Sequence, residues 1–153
     1  MKSESAAAPI RVLFVCTGNS ARSQMAEAIL REIGRGAFET FSAGTDPRGV
    51  NPLTVRALAN AGIDVSAARS KSVTEFLGQS FDYVVTVCDR ARESCPVFPG
   101  GAESLHWGFD DPAEATGSES ERLAVFERVL REISARLRTF APAALRERDG
   151  VGA

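Results

Sequence analysis

Residues 10–16, "IRVLFVC", make an apolar run that stops on a cysteine and gives way at once to Gly18, Asn19 and Ser20. From Ser23 the pattern changes, with Met25, Ala26, Ile29, Leu30 and Ile33 recurring at helical spacing until Gly34 or Gly36 can stop the helix. A run so apolar suits a strand buried on both faces, the habit of parallel sheets. Such a strand needs parallel partners reached by crossovers, and the rest of the chain supplies them. Further strands are expected over 38–44, 81–88 and 104–109, with "IDVS" (63–66) a short strand or connector. Helices are expected over 51–62, where Pro52 starts and Gly62 ends the segment, briefly over 72–79, and over 118–141. The last carries Leu123, Phe126, Val129, Leu130, Ile133 and Leu137 on one face. Alternating strands and helices predict an α/β fold, a single domain with a central parallel four-stranded sheet and helices on both faces. The domain is expected to run over 10–141, after a flexible leader (1–9) and before a loose tail (142–153) that begins at Pro142.

Composition narrows the function classes. A formal net charge of -2 suggests neither a nucleic-acid surface nor a polybasic membrane patch. No apolar run approaches the roughly 20 residues of a membrane span, and "MKSESAAAPI" lacks the apolar core of a signal peptide. A chain of 153 residues buries a core without disulfide staples, so three cysteines, an odd count, point to a reducing cytoplasm and to thiols kept for chemistry. A monomer is expected.

In open α/β sheets, ligands bind beyond the carboxyl ends of the strands. Cys16 and Cys88 both fall at such ends. Gly18 and Asn19 tolerate positive φ, so successive N–H groups from Thr17 through Ser20, Ala21, Arg22 and Ser23 can turn inward as an anion nest, reinforced by the helix that follows. Arg22 adds a planar fork for a tetrahedral oxyanion, and Ser23 can donate to the Cys16 sulfur. A thiol in that field is expected to act as its thiolate. A lone C-x5-R spacing is equally compatible with an inert strand–turn–helix junction; the strand before, the glycine within and the helix after favour the functional reading.

This stretch resembles the low-molecular-weight protein tyrosine phosphatase superfamily, whose signature is a cysteine, five residues, then Arg-Ser. More narrowly, "CTGNSARSQMAEA" resembles the superfamily's thioredoxin-coupled arsenate reductases, as do "SAG" (42–44), "GVNP" (49–52), "VVTVCDRARESCP" (84–96) and "HWGFDDPA" (106–113). The resemblance covers about Val12 to Phe140 and implies the low-molecular-weight phosphatase fold. Relatives often carry a further cysteine where this chain has Ala21.

From spacing alone, Cys88 and Cys95 could be inert thiols, legs of a zinc site with Cys16 and His106, or a dithiol able to close. Seven positions of helix span about 10 Å along the axis, beyond the roughly 7 Å a disulfide allows between Cα atoms, so closure requires the segment to unwind. The resemblance implies the third reading. It implies that Cys16 attacks arsenate, that Cys88 attacks Cys16 and releases arsenite, and that Cys95 attacks Cys88 to leave a bridge for thioredoxin. It implies too that no metal or organic redox cofactor is required, the electrons coming from thioredoxin. The resemblance assigns the general acid to Asp111, the aspartate directly before Pro112. Ala113 stands where tyrosine phosphatases usually place an aromatic wall. His106, the only histidine, is expected in a hydrogen-bonded structural role. Many relatives bind potassium beside the loop; three of the positions used are Asn19, Glu27 and Ser42, and a fourth, an aspartate, is Lys71 here, which predicts a lysine in place of the ion. The competing readings are a low-molecular-weight phosphatase and a non-enzymatic oxyanion or redox sensor.

Overall fold

A computed structural model describes residues 8–150, so most of the expected leader and the last three residues lie outside the described residues. Four strands, β1 (Ile10–Cys16), β2 (Phe38–Gly44), β3 (Tyr83–Thr86) and β4 (Glu103–His106), pair in the order β2-β1-β3-β4, every pair parallel. β1 lies inside the sheet and is buried along nearly its whole length, which explains its lack of alternation. The helices are α1 (Arg22–Gly34), α2 (Pro52–Asn60), α3 (Asp89–Ser94) and α4 (Glu119–Arg148). The step from β1 to β2 and the step from β3 to β4 run in opposite directions across the sheet. Right-handed crossovers therefore put α1 and α3 on opposite faces. The strand order reverses at the carboxyl end of β1, where Cys16 sits.

Phe14, Met25, Leu30, Leu58, Phe126, Ile133 and Leu137 are fully buried between sheet and helices. Trp107, directly after β4, packs against Phe14 and Phe140 and so ties the sheet to α4. Asn51 caps α2 by accepting from the Leu53 N–H, and Ser118 and Glu121 form a capping box on α4.

Three expectations need correction. The chain does not loosen at Pro142: α4 continues to Arg148. An interior proline costs about 3 kcal/mol, but here Ala141 and Ala144 are buried, Leu145 packs on the core, and the Tyr83 hydroxyl donates to Glu147. Packing of the helix beyond the proline outweighs the lost hydrogen bond. Segment 72–79 holds only a 3-10 turn at Val73–Phe76; 63–66 is a connector, one of the two readings the sequence allowed. β3 ends at Thr86, so Cys88 lies two residues past the strand, capping α3.

Candidate active site

The loop between β1 and α1 holds its shape because its carbonyls are taken from outside. Thr45 N–H donates to the Cys16 carbonyl, Asp46 to Thr17, Arg48 to Gly18, and Asn51 to Ser20. Side chains add Ser70 to Gly18, Thr54 to Ser20 and Gln24 to Asn19. With these carbonyls held outward, the loop's amides are left for the concave side. α1 begins without a side-chain cap, so the N–H groups of its first turn are also available to an anion. Asn19 carries the positive φ, +47°, that the sequence assigned jointly to Gly18 and Asn19; Gly18 itself does not.

Cys16 is buried at the floor. Its Sγ lies 2.8 Å from Ser23 Oγ, and the Asn19 N–H donates to it at 3.2 Å. Arg22 folds over the loop, donating through Nη1 to the Phe109 carbonyl at 3.1 Å, while Nη2 is 3.6 Å from Asp111 Oδ2. Asp111 is itself oriented by accepting from the Ala113 N–H. Cys88 joins the same site, its Sγ 3.3 Å from Thr17 Oγ1. A cavity of about 540 Å³ is lined by Cys16, Thr17, Arg22, Cys88, Asp111 and Ala113, among others. Cys95 is not in it. It caps the other end of α3, half-buried, and burial pushes its thiol above the ordinary value. All three cysteines are free thiols.

Sequence reasoning missed Gly44, the last residue of β2. A Cβ there would meet the Thr17 carbonyl oxygen at 2.5 Å and the Asn19 nitrogen at 2.9 Å, both loop backbone. The "SAG" match held the signal, but only the pairing of Gly44 with Cys16 shows why a side chain is excluded. Gly44→Ala is expected to cost about 1–3 kcal/mol by overpacking. It should also slow loop chemistry on the order of 100-fold by displacing the nucleophile. Denaturant midpoints and aryl phosphate hydrolysis measure the two, and wild-type values in both would contradict this role.

Behind the loop, Asn19 Nδ2 donates to Ser23 and Ser42, and its Oδ1 accepts from the Lys71 N–H and from Gln24. Ser42 donates to Glu27 Oε1, and the Lys71 ammonium lies 3.8 Å from the same oxygen while donating to the Arg69 carbonyl. Burial lowers the lysine's pKa, an effect that Glu27 opposes. The Lys71 charge stands beside Glu27 with Asn19 and Ser42 already engaged, so these residues do not fit a potassium ion. Potassium and sodium at equal ionic strength should give the same turnover and melting temperature; a potassium-specific gain in either would refute the replacement.

A zinc reading of the cysteines with His106 finds no support. His106 Nδ1 lies 2.8 Å from Thr86 Oγ1 and Nε2 lies 2.9 Å from Asp89 Oδ1, and no metal-type cluster occurs among the described residues. No described helix is long and apolar enough to cross a membrane.

Comparison with known proteins agrees with this geometry. The arsenate reductase of Halalkalibacterium halodurans is 46% identical over 130 residues, covering 85% of this chain and 94% of that protein. The Bacillus subtilis arsenate reductase is 43% identical over the same shares of each chain. Among solved structures, an arsenate reductase in the phosphate binding state aligns with a TM-score of 0.71 at 27% identity, covering 88% of this chain and 98% of that one. A thioredoxin-dependent arsenate reductase of Corynebacterium glutamicum aligns with a TM-score of 0.70 at 30% identity, covering 90% of this chain and 63% of that one. The family described as low molecular weight phosphotyrosine protein phosphatase matches residues 11–150. With nearly all of the described residues inside that match, and with the cysteine, arginine and aspartate brought together at the end of β1, the chain belongs to the low molecular weight phosphotyrosine protein phosphatase family.

Proposed function

We propose that the protein is an arsenate reductase of this family, working through a three-cysteine relay recharged by thioredoxin. One observation carries the reading: Cys88 stands against the loop that holds Cys16, and Cys95 closes the same six-residue helix that Cys88 opens. A phosphatase needs only the first of these thiols.

Arsenate enters the loop with its oxygens on the inward amides and Arg22. The Cys16 thiolate attacks arsenic; the departing hydroxide takes the Asp111 proton and leaves as water, giving a sulfur–arsenic(V) adduct. The Cys88 thiolate then attacks Cys16 Sγ. A sulfur–sulfur bond forms and the sulfur–arsenic bond breaks with its electron pair staying on arsenic, which departs as arsenite. The two electrons that reduce arsenic come from the two sulfurs. Thr17 Oγ1 is placed to orient the Cys88 sulfur for this attack. Cys95 next attacks Cys88, expelling Cys16 as a thiolate and leaving Cys88–Cys95 for a dithiol reductant. The electrons pass from sulfur to sulfur, so neither an organic cofactor nor a metal is needed. Thioredoxin coupling is supported by the C. glutamicum likeness and by the internal resolving pair, which makes an external low-molecular-weight thiol unnecessary for release.

A coupled assay tests the reading: NADPH oxidation with thioredoxin reductase, thioredoxin and arsenate. Steady arsenate-dependent oxidation is expected, and its absence with folded, reduced protein would overturn the proposal. Phosphate shares arsenate's shape and charge, so Cys16, Arg22 and Asp111 should also give slow aryl phosphate hydrolysis. With Ala113 leaving that wall of the cavity without an aromatic ring, this activity is a side reaction.

A further inference from the structure

α3 is weakly attached for an element on which the relay depends. It has six residues, no side-chain cap at Cys88, and a single buried side chain, Ala91. Among the described residues it makes one side-chain hydrogen bond to the rest of the protein, Asp89 Oδ1 accepting from His106 Nε2. The Ser94 hydroxyl bonds only within the helix, to the Arg90 carbonyl. His106 is itself anchored, at the end of β4, with its other ring nitrogen on Thr86 Oγ1, a buried hydroxyl at the end of β3. Thr86, His106 and Asp89 thus form a chain from the sheet to the first residue of the segment that must unwind.

We propose that His106 is a positioning residue of the relay, a latch that holds α3 helical until Cys95 is required. This rests on the assignment of Cys88 and Cys95 as the closing pair. With a neutral ring, Nε2–H donates to Asp89 and Nδ1 accepts from the Thr86 hydroxyl. The ring shares a cavity with Arg92 of α3 and with Cys95, so it stands against the segment that carries the resolving thiol.

The consequence falls on one step, the passage from Cys16–Cys88 to Cys88–Cys95. Asp89 is largely exposed, so the effect is that of a solvent-facing pair, about two- to five-fold. After one equivalent of arsenate, quenching and mass mapping give the rate of that conversion in wild type and His106→Gln. The variant should be faster, by about two- to five-fold. Its aryl phosphate hydrolysis should be unchanged, because the ring does not line the Cys16 cavity. Amide exchange of residues 89–94 in the fully reduced protein, corrected for intrinsic rates, should show the same ratio. That second measurement does not involve the relay. If no Cys88–Cys95 bridge forms in wild type, the relay assignment fails while exchange still decides the latch. If His106→Gln does not fold, Asp89→Asn at the exposed end of the pair takes its place, with the same acceleration expected. Equal exchange and equal conversion in variant and wild type would overturn the latch.

Discussion

Cys16→Ser protein should still bind oxyanions yet turn over neither arsenate nor aryl phosphate, with both rates falling at least about 1,000-fold. Serine is nearly isosteric, and the groups around it, Ser23 Oγ and the Asn19 N–H, are those of a loop built to hold an anion. Two hydrogen bonds suit a sulfur anion but are not enough to ionise an alcohol near neutral pH. The loop amides and Arg22 are untouched, so phosphate should bind as tightly as in wild type. Calorimetry with phosphate measures the second claim and the coupled assay the first. Residual turnover above about a hundredth of wild type would remove Cys16 from its role. Cys88→Ser separates the two chemistries: aryl phosphate hydrolysis should persist while arsenate turnover with thioredoxin stops. Loss of hydrolysis in that folded variant would contradict the division of labour.

Cys95→Ser should reduce about one equivalent of arsenate and then stall as a Cys16–Cys88 disulfide, because attack by Cys88 on Cys16 needs no third sulfur. Cys16 is buried and thioredoxin would have to reach it directly, so multiple turnover should fall far below wild type. In wild type the third step has its own pH signature. Burial holds the Cys95 thiol above its ordinary value, so its thiolate is scarce while α3 is folded and grows as pH rises or as unwinding exposes it. The conversion to Cys88–Cys95 should therefore accelerate with pH. Mass mapping of the stalled and completed species checks both claims. Full turnover by Cys95→Ser with thioredoxin, or no Cys88–Cys95 bridge in wild type after arsenate, would refute the relay.

The nucleophile loop was legible because its determinants are local. An apolar run, a turn and a helix start lie within fifteen residues, and Cys16, Arg22 and Ser23 are positioned by them. The parallel direction of the strands followed from the alternation of strands and helices along the chain, and their order across the sheet did not. What the sequence hid depends on distant partners. Gly44 is required by a backbone 27 positions earlier. The continuation of α4 past Pro142 is decided by burial of Ala144 and by the Tyr83–Glu147 bond, neither of which local propensity registers. Gly18 and Asn19 both looked able to take the left-handed turn, but only Asn19 takes it, its side-chain amide bonded to four neighbours. His106 was readable as hydrogen-bonded, though the partners that give it meaning, Thr86 and Asp89, come from β3 and from the head of α3.

The expected replacement of a potassium ion by Lys71 would exchange a mobile partner for one that cannot leave. An ion in solution occupies a site according to its concentration and its competitors, whereas an ammonium tethered to the backbone would be held beside Glu27 at one effective concentration. Its position behind the loop, largely shielded from solvent, also limits screening by added salt. On that expectation the shape of the oxyanion cradle would depend little on the salts of its medium.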